Sequence, residues 1–290
     1  MKKFMCTLFT LVIMIPMCAV MSSAKTATYK SEFPDSNFRK HILYLVGNPK
    51  ESAKIDTAKL AEIKALSVRD ASIKSMDGIK YLTGLTSLDC SDNKLKKLDL
   101  SNNKKLVSLK CHSQHISIPI LYFTYVQSYT LTSLNISQNT ALTELDCGDN
   151  KLAKLDISKN TALIELHCSA NKLTSLDLSK NTALTILYCS NNKLTKLDLS
   201  KNTALTELQC YGNKLTSLDL SKNTALKYIY ASSKTNINGR RVGSKLVYSG
   251  SIFTDHAGVF IGVGALIVVG GIAAFVVIRK KKKSSQGIEQ

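Results

Sequence analysis

From Leu85 onward the chain repeats itself every 21 residues. The clearest copy, LTELQCYGNKLTSLDLSKNTA, occupies 205–225, and related copies begin at Leu85, Leu106, Leu142, Leu163 and Leu184. A period of this length indicates a solenoid, because a single unit cannot bury its own apolar side and stacked units share one continuous core. The repeat therefore predicts the architecture, and it moves the functional question from a catalytic pocket to the surface of the stack.

Each unit has two halves, L-x-x-L-x-C-x-x-N-K and L-x-x-L-D-L-S-K-N-T-A. The alternation within each half suits a short strand with one buried face. In the first full unit the apolar positions are Leu85, Leu88, Cys90, Leu95, Leu98 and Leu100. Stacked from coil to coil, these positions should form the columns of the core.

An asparagine follows each predicted strand. A buried turn needs partners for its backbone N–H and C=O groups, and an asparagine amide both donates and accepts hydrogen bonds. We therefore predict two structural ladders rather than glycan or metal sites. The first contains Asn93, Asn150, Asn171, Asn192 and Asn213, with Gln114 as the exception, and the second contains Asn103, Asn139, Asn160, Asn181, Asn202 and Asn223.

These motifs resemble the 21-residue leucine-rich repeat, especially the cysteine-ladder form of internalin-type bacterial surface proteins. The resemblance covers about 63–232, and 63–84 resembles a 22-residue internalin-type unit that starts the stack. It implies a strand-dominated α/β solenoid, a leucine-rich-repeat right-handed superhelix. It also implies a protein that binds other macromolecules and has no catalytic activity of its own.

The two ends of the chain predict export and membrane anchoring. Lys2 and Lys3 precede an apolar run that ends in small residues, which is typical of a signal peptide over 1–24. Residues 257–278 carry no charge and would form a helix of about 33 Å, enough for one transmembrane span. The basic residues of 279–290 should stay in the cytoplasm, so we expect a single-pass cell-membrane protein with extracellular repeats. Residues 233–256 would then be a closing segment and stalk.

Residues 25–62 predict a small helical cap over the first coil. Asp35 or Ser36 should begin one helix, which Gly47 ends, and Asp56 should begin a second. The apolar side chains that should face the core are Phe38, Ile42, Leu45, Leu60 and Ile63. The cap lacks the acidic alternation of a calcium loop, so we expect no calcium site.

The repeats carry cysteines at one slot: Cys90, Cys111, Cys147, Cys168, Cys189 and Cys210. An even number in a secreted chain usually suggests disulfides. However, side chains in one column point the same way at a core position, so we predict free, buried thiols. His112 and His115 complete a C-H-x-x-H pattern with Cys111, but we expect the histidines to point outward. We therefore predict no metal site and no cofactor.

The best candidate binding surface lies on the first strand of each unit. Two positions flank its central leucine and should point outward, and they vary while the core and turn positions barely change. The pairs begin with Ser87/Asp89 and Ser108/Lys110, and the candidate ligand-binding residues among the rest are Glu144, Asp146, Glu165, His167, Ile186, Tyr188, Glu207, Gln209, Tyr228 and Tyr230. Tyrosine-rich, mixed-charge strips are typical of protein contact surfaces, although drift at solvated positions would also produce such variation.

A second candidate surface is an aromatic insertion at 116–130, ISIPILYFTYVQSYT. It adds Tyr122, Phe123 and Tyr125 to the candidate ligand-binding residues. Insertions in solenoids fall in loops on one face, often the binding face. Three interpretations remain open: an exposed aromatic binding loop, a hairpin that folds onto the stack, and a chance in-frame insertion.

Lysines form the third candidate surface. The formal net charge is +18. Lys94, Lys151, Lys172, Lys193 and Lys214 form one column of the repeat, and Lys159, Lys180, Lys201 and Lys222 form another. Such lines of charge suit a polyanion, although a solvated rim that keeps the stack soluble is the simpler explanation. No aromatic residues interleave the lysines as single-strand nucleic-acid binding requires, so no specific nucleic-acid partner is expected.

Two functions follow from these features. The first is a membrane-anchored extracellular protein that binds a protein or glycan partner, as in adhesion. The alternative is a structural envelope protein whose lysine columns hold an anionic wall polymer. The chain has no Ser/His/Asp set and no glycine-rich phosphate loop, and its carboxylates fall in repeated turn positions, so we do not expect an enzyme.

Overall fold

The computed structural model describes residues 26–120 and 124–249. Three α-helices come first: α1 (Tyr29–Glu32), α2 (Ser36–Leu45) and α3 (Thr57–Glu62). A short 3-10 helix spans Ile79–Tyr81. The strands are β1 (Ala65–Ser67), β2 (Ser87–Asp89), β3 (Lys97–Asp99), β4 (Ser108–Lys110), β5 (His115–Ile120), β6 (Thr124–Tyr129), β7 (Ser133–Asn135), β8 (Glu144–Asp146), β9 (Glu165–His167), β10 (Ile186–Tyr188), β11 (Glu207–Gln209), β12 (Ser217–Asp219), β13 (Tyr228–Ser232), β14 (Asn236–Asn238) and β15 (Lys245–Ser249).

The main sheet has nine parallel strands in the order β1-β2-β4-β8-β9-β10-β11-β13-β15. Each repeat contributes one strand, and the strands pair without slippage, so that Leu145 lies beside Leu166 and Leu166 beside Leu187. A shift by one residue would turn every leucine outward, which is why the apolar pattern fixes this register. Equivalent positions therefore form straight columns across the sheet.

The second half of the repeat is less regular. It forms strands in some coils, where β3 pairs with β7 and β12 pairs with β14, and turns in others. Within the described residues, α-helices occur only ahead of the first repeat strand. The predicted strand-dominated solenoid is therefore confirmed, while the α-helices of the α/β description occur, within the described residues, only in the N-terminal cap. The right-handedness of the superhelix remains a prediction.

The core lies between the two halves of the coil. The leucine columns are buried, and the cysteine column is at most 2% exposed, at Cys210. The cysteines of the described chain are free thiols, which confirms the prediction. Burial raises the pKa of each thiol, for example to about 12 at Cys210, so these side chains stay neutral and act as small apolar groups.

Both asparagine ladders are confirmed as columns of amide donors, but only in the first do the amide oxygens also accept hydrogen bonds. Within the described residues, buried Oδ1 atoms without a hydrogen-bond partner occur throughout the second ladder, at Asn103, Asn139, Asn160, Asn181, Asn202 and Asn223. In the first, the Asn171 amide nitrogen donates to the carbonyls of Cys147 and Cys168 at 3.0 and 3.2 Å, and its oxygen accepts from the Leu152 N–H at 2.9 Å. In the second, the Asn160 amide donates to the Ile136 carbonyl in the preceding coil at 3.0 Å. Gln114 replaces an asparagine and still bonds to the Cys90 carbonyl at 2.6 Å. Each amide thus connects one turn to the next.

The helical cap forms largely as predicted, with one error. Asp35 caps α2 and Asp56 caps α3, while Phe38, Ile42 and Leu60 are fully buried. Leu45 is 46% exposed, contrary to prediction. Arg39 is buried in its place, where the guanidinium donates to the Phe33 and Pro34 carbonyls and pairs with Glu51 at 3.1 Å. Ile63 is partly buried against the core.

The insertion at 116–130 contains a β-hairpin. Strands β5 and β6 pair antiparallel, and among the described helices and strands they contact only each other. Its base is fastened to the turn of the next coil. The Tyr129 hydroxyl donates to the Asp149 carboxylate at 3.2 Å, and the Lys151 ammonium donates to the Ser128 hydroxyl at 3.1 Å. The insertion is thus an ordered hairpin at its base.

Several predicted segments lie outside the described residues. They are the signal peptide at 1–24, the transmembrane helix at 257–278 and the tail at 279–290, together with the end of the stalk. Within the described part, no helix has the length and apolar character needed to cross a membrane.

Candidate functional site

The outward residues of β2, β4, β8, β9, β10, β11 and β13 form a continuous surface, which we call the strand face. Each strand contributes its first and third residues, because the second points into the core. The register arranges them in two rows. The first row runs Ser87, Ser108, Glu144, Glu165, Ile186, Glu207, Tyr228, and the second runs Asp89, Lys110, Asp146, His167, Tyr188, Gln209, Tyr230. The structure therefore brings together all ten strand residues predicted from the sequence.

Carboxylates dominate the middle of the strand face. Glu144 accepts hydrogen bonds from the Ser108 hydroxyl at 2.8 Å and pairs with the Lys110 ammonium at 3.0 Å. Partial burial alone would raise the pKa of Glu144, but the bonds from Ser108 and Lys110 outweigh it and hold that pKa below its usual value. Glu165 lies beside Glu144 in the register. Within the described chain, Glu165 has neither an ion pair nor a side-chain hydrogen bond.

Aromatic rings lie next to these carboxylates. The Tyr188 ring stacks on the His167 ring with centroids 4.4 Å apart and an interplanar angle of 17°. The Tyr188 hydroxyl donates to the Glu207 carboxylate at 2.8 Å, and the Gln209 amide donates to the same oxygen at 3.3 Å. This network holds the Tyr188 ring in one orientation before any partner arrives, which lowers the entropic cost of binding.

Tyr188 and Tyr230 of the strand face remain neutral at physiological pH. Burial and the hydrogen bond to Glu207 raise the pKa of Tyr188 well above its usual value. Burial and the nearby Glu207 charge likewise raise the pKa of Tyr230. Tyr228 is the most open of the three, at 46% exposure. A ring with a polar tip and a large apolar body is well suited to a protein contact.

Two apolar side chains widen this surface and were missed by the sequence analysis. Val107 and Ile164 are 40% and 43% exposed and lie one residue before β4 and β9. Other coils carry threonine at this position, as at Thr143, Thr185 and Thr206. The departure from threonine was visible in the sequence, but the pattern placed the position in a turn, away from the predicted strand.

The insertion candidates are not joined to the strand face by the described contacts. Tyr125 lies in β6 opposite Pro119, while Tyr122 and Phe123 lie outside the described residues. Tyr129, at the base, bonds to Asp149 instead of remaining exposed. Burial and the Asp149 charge raise the pKa of Tyr129 to about 12. The described part of the hairpin therefore shows how it is anchored, and its binding role remains a prediction.

The lysine columns lie away from the strand face. Lys172, Lys193 and Lys214 are exposed in the turn after each first-half strand, and Lys159, Lys180, Lys201 and Lys222 are exposed in the turn after each second half. His112 and His115, beside the buried Cys111, form local bonds with Ser113. Within the described residues, no three potential metal ligands of the His, Cys, Asp or Glu type converge.

Comparisons with known proteins agree with this geometry. A family model described as leucine-rich repeats (2 copies) matches residues 182–222. Internalin J of Listeria monocytogenes serotype 4b (strain F2365) is 39% identical over 83 residues, which make up 29% of this chain and 9% of internalin J. The chain thus aligns with less than a tenth of that protein.

Solved structures of internalins can also be compared with this fold. Internalin C2 of Listeria monocytogenes matches with a TM-score of 0.56 at 21% identity, over 74% of this chain and 91% of internalin C2. The functional domain of internalin J from the same organism, which includes a cysteine ladder, matches at a TM-score of 0.45 and 26% identity, over 73% of this chain and 61% of that one.

The repeat and the register define a strand-dominated solenoid, and the family model identifies leucine-rich repeats within residues 182–222. More specifically, the 21-residue units of this chain, with a buried cysteine in each of six coils, resemble the cysteine-ladder internalins.

Proposed function

We propose that this is a membrane-anchored, extracellular interaction protein that binds a protein partner through the strand face. The observation that carries the proposal is the pre-ordered group formed by His167, Tyr188 and Glu207, with Tyr228 and Tyr230 on the next repeat strand. Core and turn positions are nearly uniform over the same coils, while these outward positions differ from coil to coil. Tyrosines of this kind often supply the energetic centre of protein interfaces.

The anchoring part of the proposal rests on the sequence of 1–24 and 257–278. With that topology the repeats lie outside the cell, where cell-surface binding and adhesion take place. The resemblance to internalins supports a binding role without enzymatic activity, which is part of the same proposal.

Site-specific photo-crosslinking in cells that express the full chain tests the partner surface. A photoreactive amino acid at Ile186, in the centre of the strand face, should capture a protein, whereas the same group at Asp177 on the opposite side should not. Tyr188→Ala combined with Tyr230→Ala should abolish capture from Ile186. The matched control, Lys172→Ala with Lys193→Ala, should leave it intact. Equal capture from both positions, or capture that survives the tyrosine changes, would contradict the proposal.

A second candidate function, holding an anionic wall polymer, is favoured by the exposed lysine columns. Binding of a polyanion should weaken steeply with salt because it releases counterions. Lys172→Ala, Lys193→Ala and Lys214→Ala together should then reduce retention of purified teichoic acid on the full chain by about tenfold at moderate salt. Retention that is unchanged in this triple variant would reject the second function.

A further inference from the structure

The strand face has a charge opposite to that of the chain. The whole sequence has a formal net charge of +18. On the strand face, however, the charged residues are five carboxylates and one lysine: Asp89, Glu144, Asp146, Glu165, Glu207 and Lys110. The lysine columns lie in turns outside the strands. The fold therefore separates the acidic middle of the strand face from basic edges, which include Lys245 of β15 beside Tyr228, and a field of this kind selects partners by charge.

The carboxylates differ in how well they are neutralised. Lys110 neutralises Glu144, and Glu207 receives two neutral hydrogen bonds. Asp146 accepts one hydrogen bond, from the Gly148 N–H at 3.1 Å. Glu165 is the register partner of Glu144 on the adjacent strand, and strands are about 4.8 Å apart, so the two carboxylates lie in neighbouring positions of the first row. A cation brought over Glu165 would pair with a carboxylate that has no ion-pair partner within the described residues.

Tyrosine rings flank the same carboxylates. Tyr188 lies on the strand next to that of His167, and its hydroxyl bonds to Glu207. Tyr230 lies in the same row as Tyr188, two strands further along the sheet. A lysine or arginine stem packs well along a tyrosine ring, and its charged end can then reach a neighbouring carboxylate. Along β9, β10, β11 and β13, strands that carry a carboxylate alternate with strands that carry a tyrosine. Polyanions would be repelled by this surface, and neutral sugars would not need its carboxylates.

We propose that the strand face takes a cationic segment of the partner protein, with at least two lysine or arginine side chains lying over Glu144, Asp146 and Glu165 and their stems against the tyrosines. This inference rests on the proposed function, because it names the chemistry of the partner at the same surface.

The probe for this test is a 12-residue peptide of alternating lysine and serine, compared with one in which glutamine replaces lysine. The full chain should bind the lysine peptide about tenfold more tightly than the glutamine peptide, and higher salt should reduce the difference. Glu144→Gln, Asp146→Asn and Glu165→Gln together should remove that preference. The matched control removes the same charge from the opposite side through Asp177→Asn, Asp198→Asn and Asp219→Asn, and it should keep the preference within about twofold.

Equal binding of the two peptides would overturn the inference, as would an equal loss in the opposite-side variant. Glu165→Gln alone provides a variant that should fold normally, since this carboxylate has no side-chain partner in the described structure. It should reduce binding of the lysine peptide by about threefold to tenfold. Photo-crosslinking from Ile186 separates the two proposals. If the tyrosine changes abolish capture and the carboxylate changes do not, the protein-binding function stands and the cationic segment is wrong.

Discussion

The eighth residue of each repeat lies in the left-handed region of backbone space. Its φ is 57° at Asp92, 50° at Asp149, 52° at Ala170, 54° at Asn191 and 66° at Gly212. Asparagine, aspartate and glycine tolerate this region, whereas an alanine there is strained by about 1–2 kcal/mol. Ser113 has a φ of 55° at the same position, so the repeated turn demands a backbone conformation that two coils, those of Ser113 and Ala170, satisfy poorly.

Ala170→Gly should therefore stabilise the protein. Relief of the strain outweighs the extra entropy of glycine in the unfolded chain, for a net gain of about 0.5–1 kcal/mol in the free energy of unfolding. The midpoint of urea unfolding should rise accordingly. Gly212→Ala is the matched opposite, because its Cβ would collide with the Asn191 side chain at a positive φ. If Ala170→Gly lowers the midpoint, strain is absent from this turn.

The amide donors of the second ladder offer another test. The Asn160 amide donates to the carbonyls of Ile136 at 3.0 Å and Asn139 at 2.8 Å. Asn160→Asp removes both donors and places a buried carboxylate against two carbonyl oxygens, which should cost about 3–5 kcal/mol at neutral pH. Asn160→Ala should cost about 1–3 kcal/mol. Guanidinium unfolding of both variants gives the comparison.

The stability of these two variants should respond differently to acid. Protonation of the aspartate restores one donor, so the Asp variant should recover stability as the pH falls, while the Ala variant should not. Equal losses at neutral pH, with no recovery in acid, would show that the amide donors contribute nothing specific.

Among the elements, helix α2 is tied to the first coil chiefly by the Asp35 carboxylate, together with a longer bond of 3.4 Å from the Asn37 amide to the Ser72 carbonyl. One Asp35 oxygen accepts from the N–H groups of Asn37 and Phe38, each at 3.0 Å. The other accepts from Lys74 at 2.8 Å and Ser75 at 3.3 Å. Burial alone would raise the pKa of Asp35, but the four N–H donors outweigh it and lower the pKa below the ordinary 3.8.

The lowered pKa gives a pH-dependent stability. The contribution of Asp35 should be fully present above the unfolded-state pKa near 3.8 and should be lost as the pH falls through the lower folded-state pKa. Asp35→Asn should therefore flatten the acid limb of the stability curve, and Asp35→Ala should cost about 1–2 kcal/mol at pH 7. Asp77→Asn, whose exposed carboxyl accepts none of these bonds, is the control. An unchanged acid limb in Asp35→Asn would contradict the assignment.

The repeat strands could be predicted from the sequence more fully than helix α2. Repetition made the strands, the cysteine column and both ladders predictable, since each position is sampled in several coils. Helix α2 occurs once, and its apolar spacing fits more than one rotation about the helix axis. In the observed rotation Phe38, Ile42 and Val46 are buried and Leu45 is exposed, while Arg39 donates to the nearby Phe33 and Pro34 carbonyls.

The candidate site was predictable in position but not in its contacts. Alternation within the strand identified which residues face outward. The stacking of His167 on Tyr188 and the bond from Tyr188 to Glu207 depend on the coil-to-coil register and on side-chain rotamers. Similarly, the Tyr129–Asp149 bond joins residues that the insertion places in different coils, and no periodic pattern predicts it.

At the scale of the whole molecule, the solenoid is a linear stack in which each coil contacts its neighbours. Its two described ends differ. The N-terminal end is covered by helices with Phe33, Phe38 and Ile42 fully buried. The C-terminal end is closed by β14 and β15, with Val242 almost fully exposed in the loop between them. We therefore expect the stack to open first from its C-terminal end.

Alkylation of the free cysteines would show the order in which the coils open, because each cysteine lies in a different repeat and is protected by burial. In the native state the thiols should resist iodoacetamide, since burial raises their pKa values. In urea below the unfolding midpoint, Cys210 should be alkylated before Cys147 and Cys168, and Cys90 should be protected for longer than Cys210. Peptide mass spectrometry after a short labelling pulse measures each site. Simultaneous labelling of all six thiols would instead show that the stack opens as one cooperative unit.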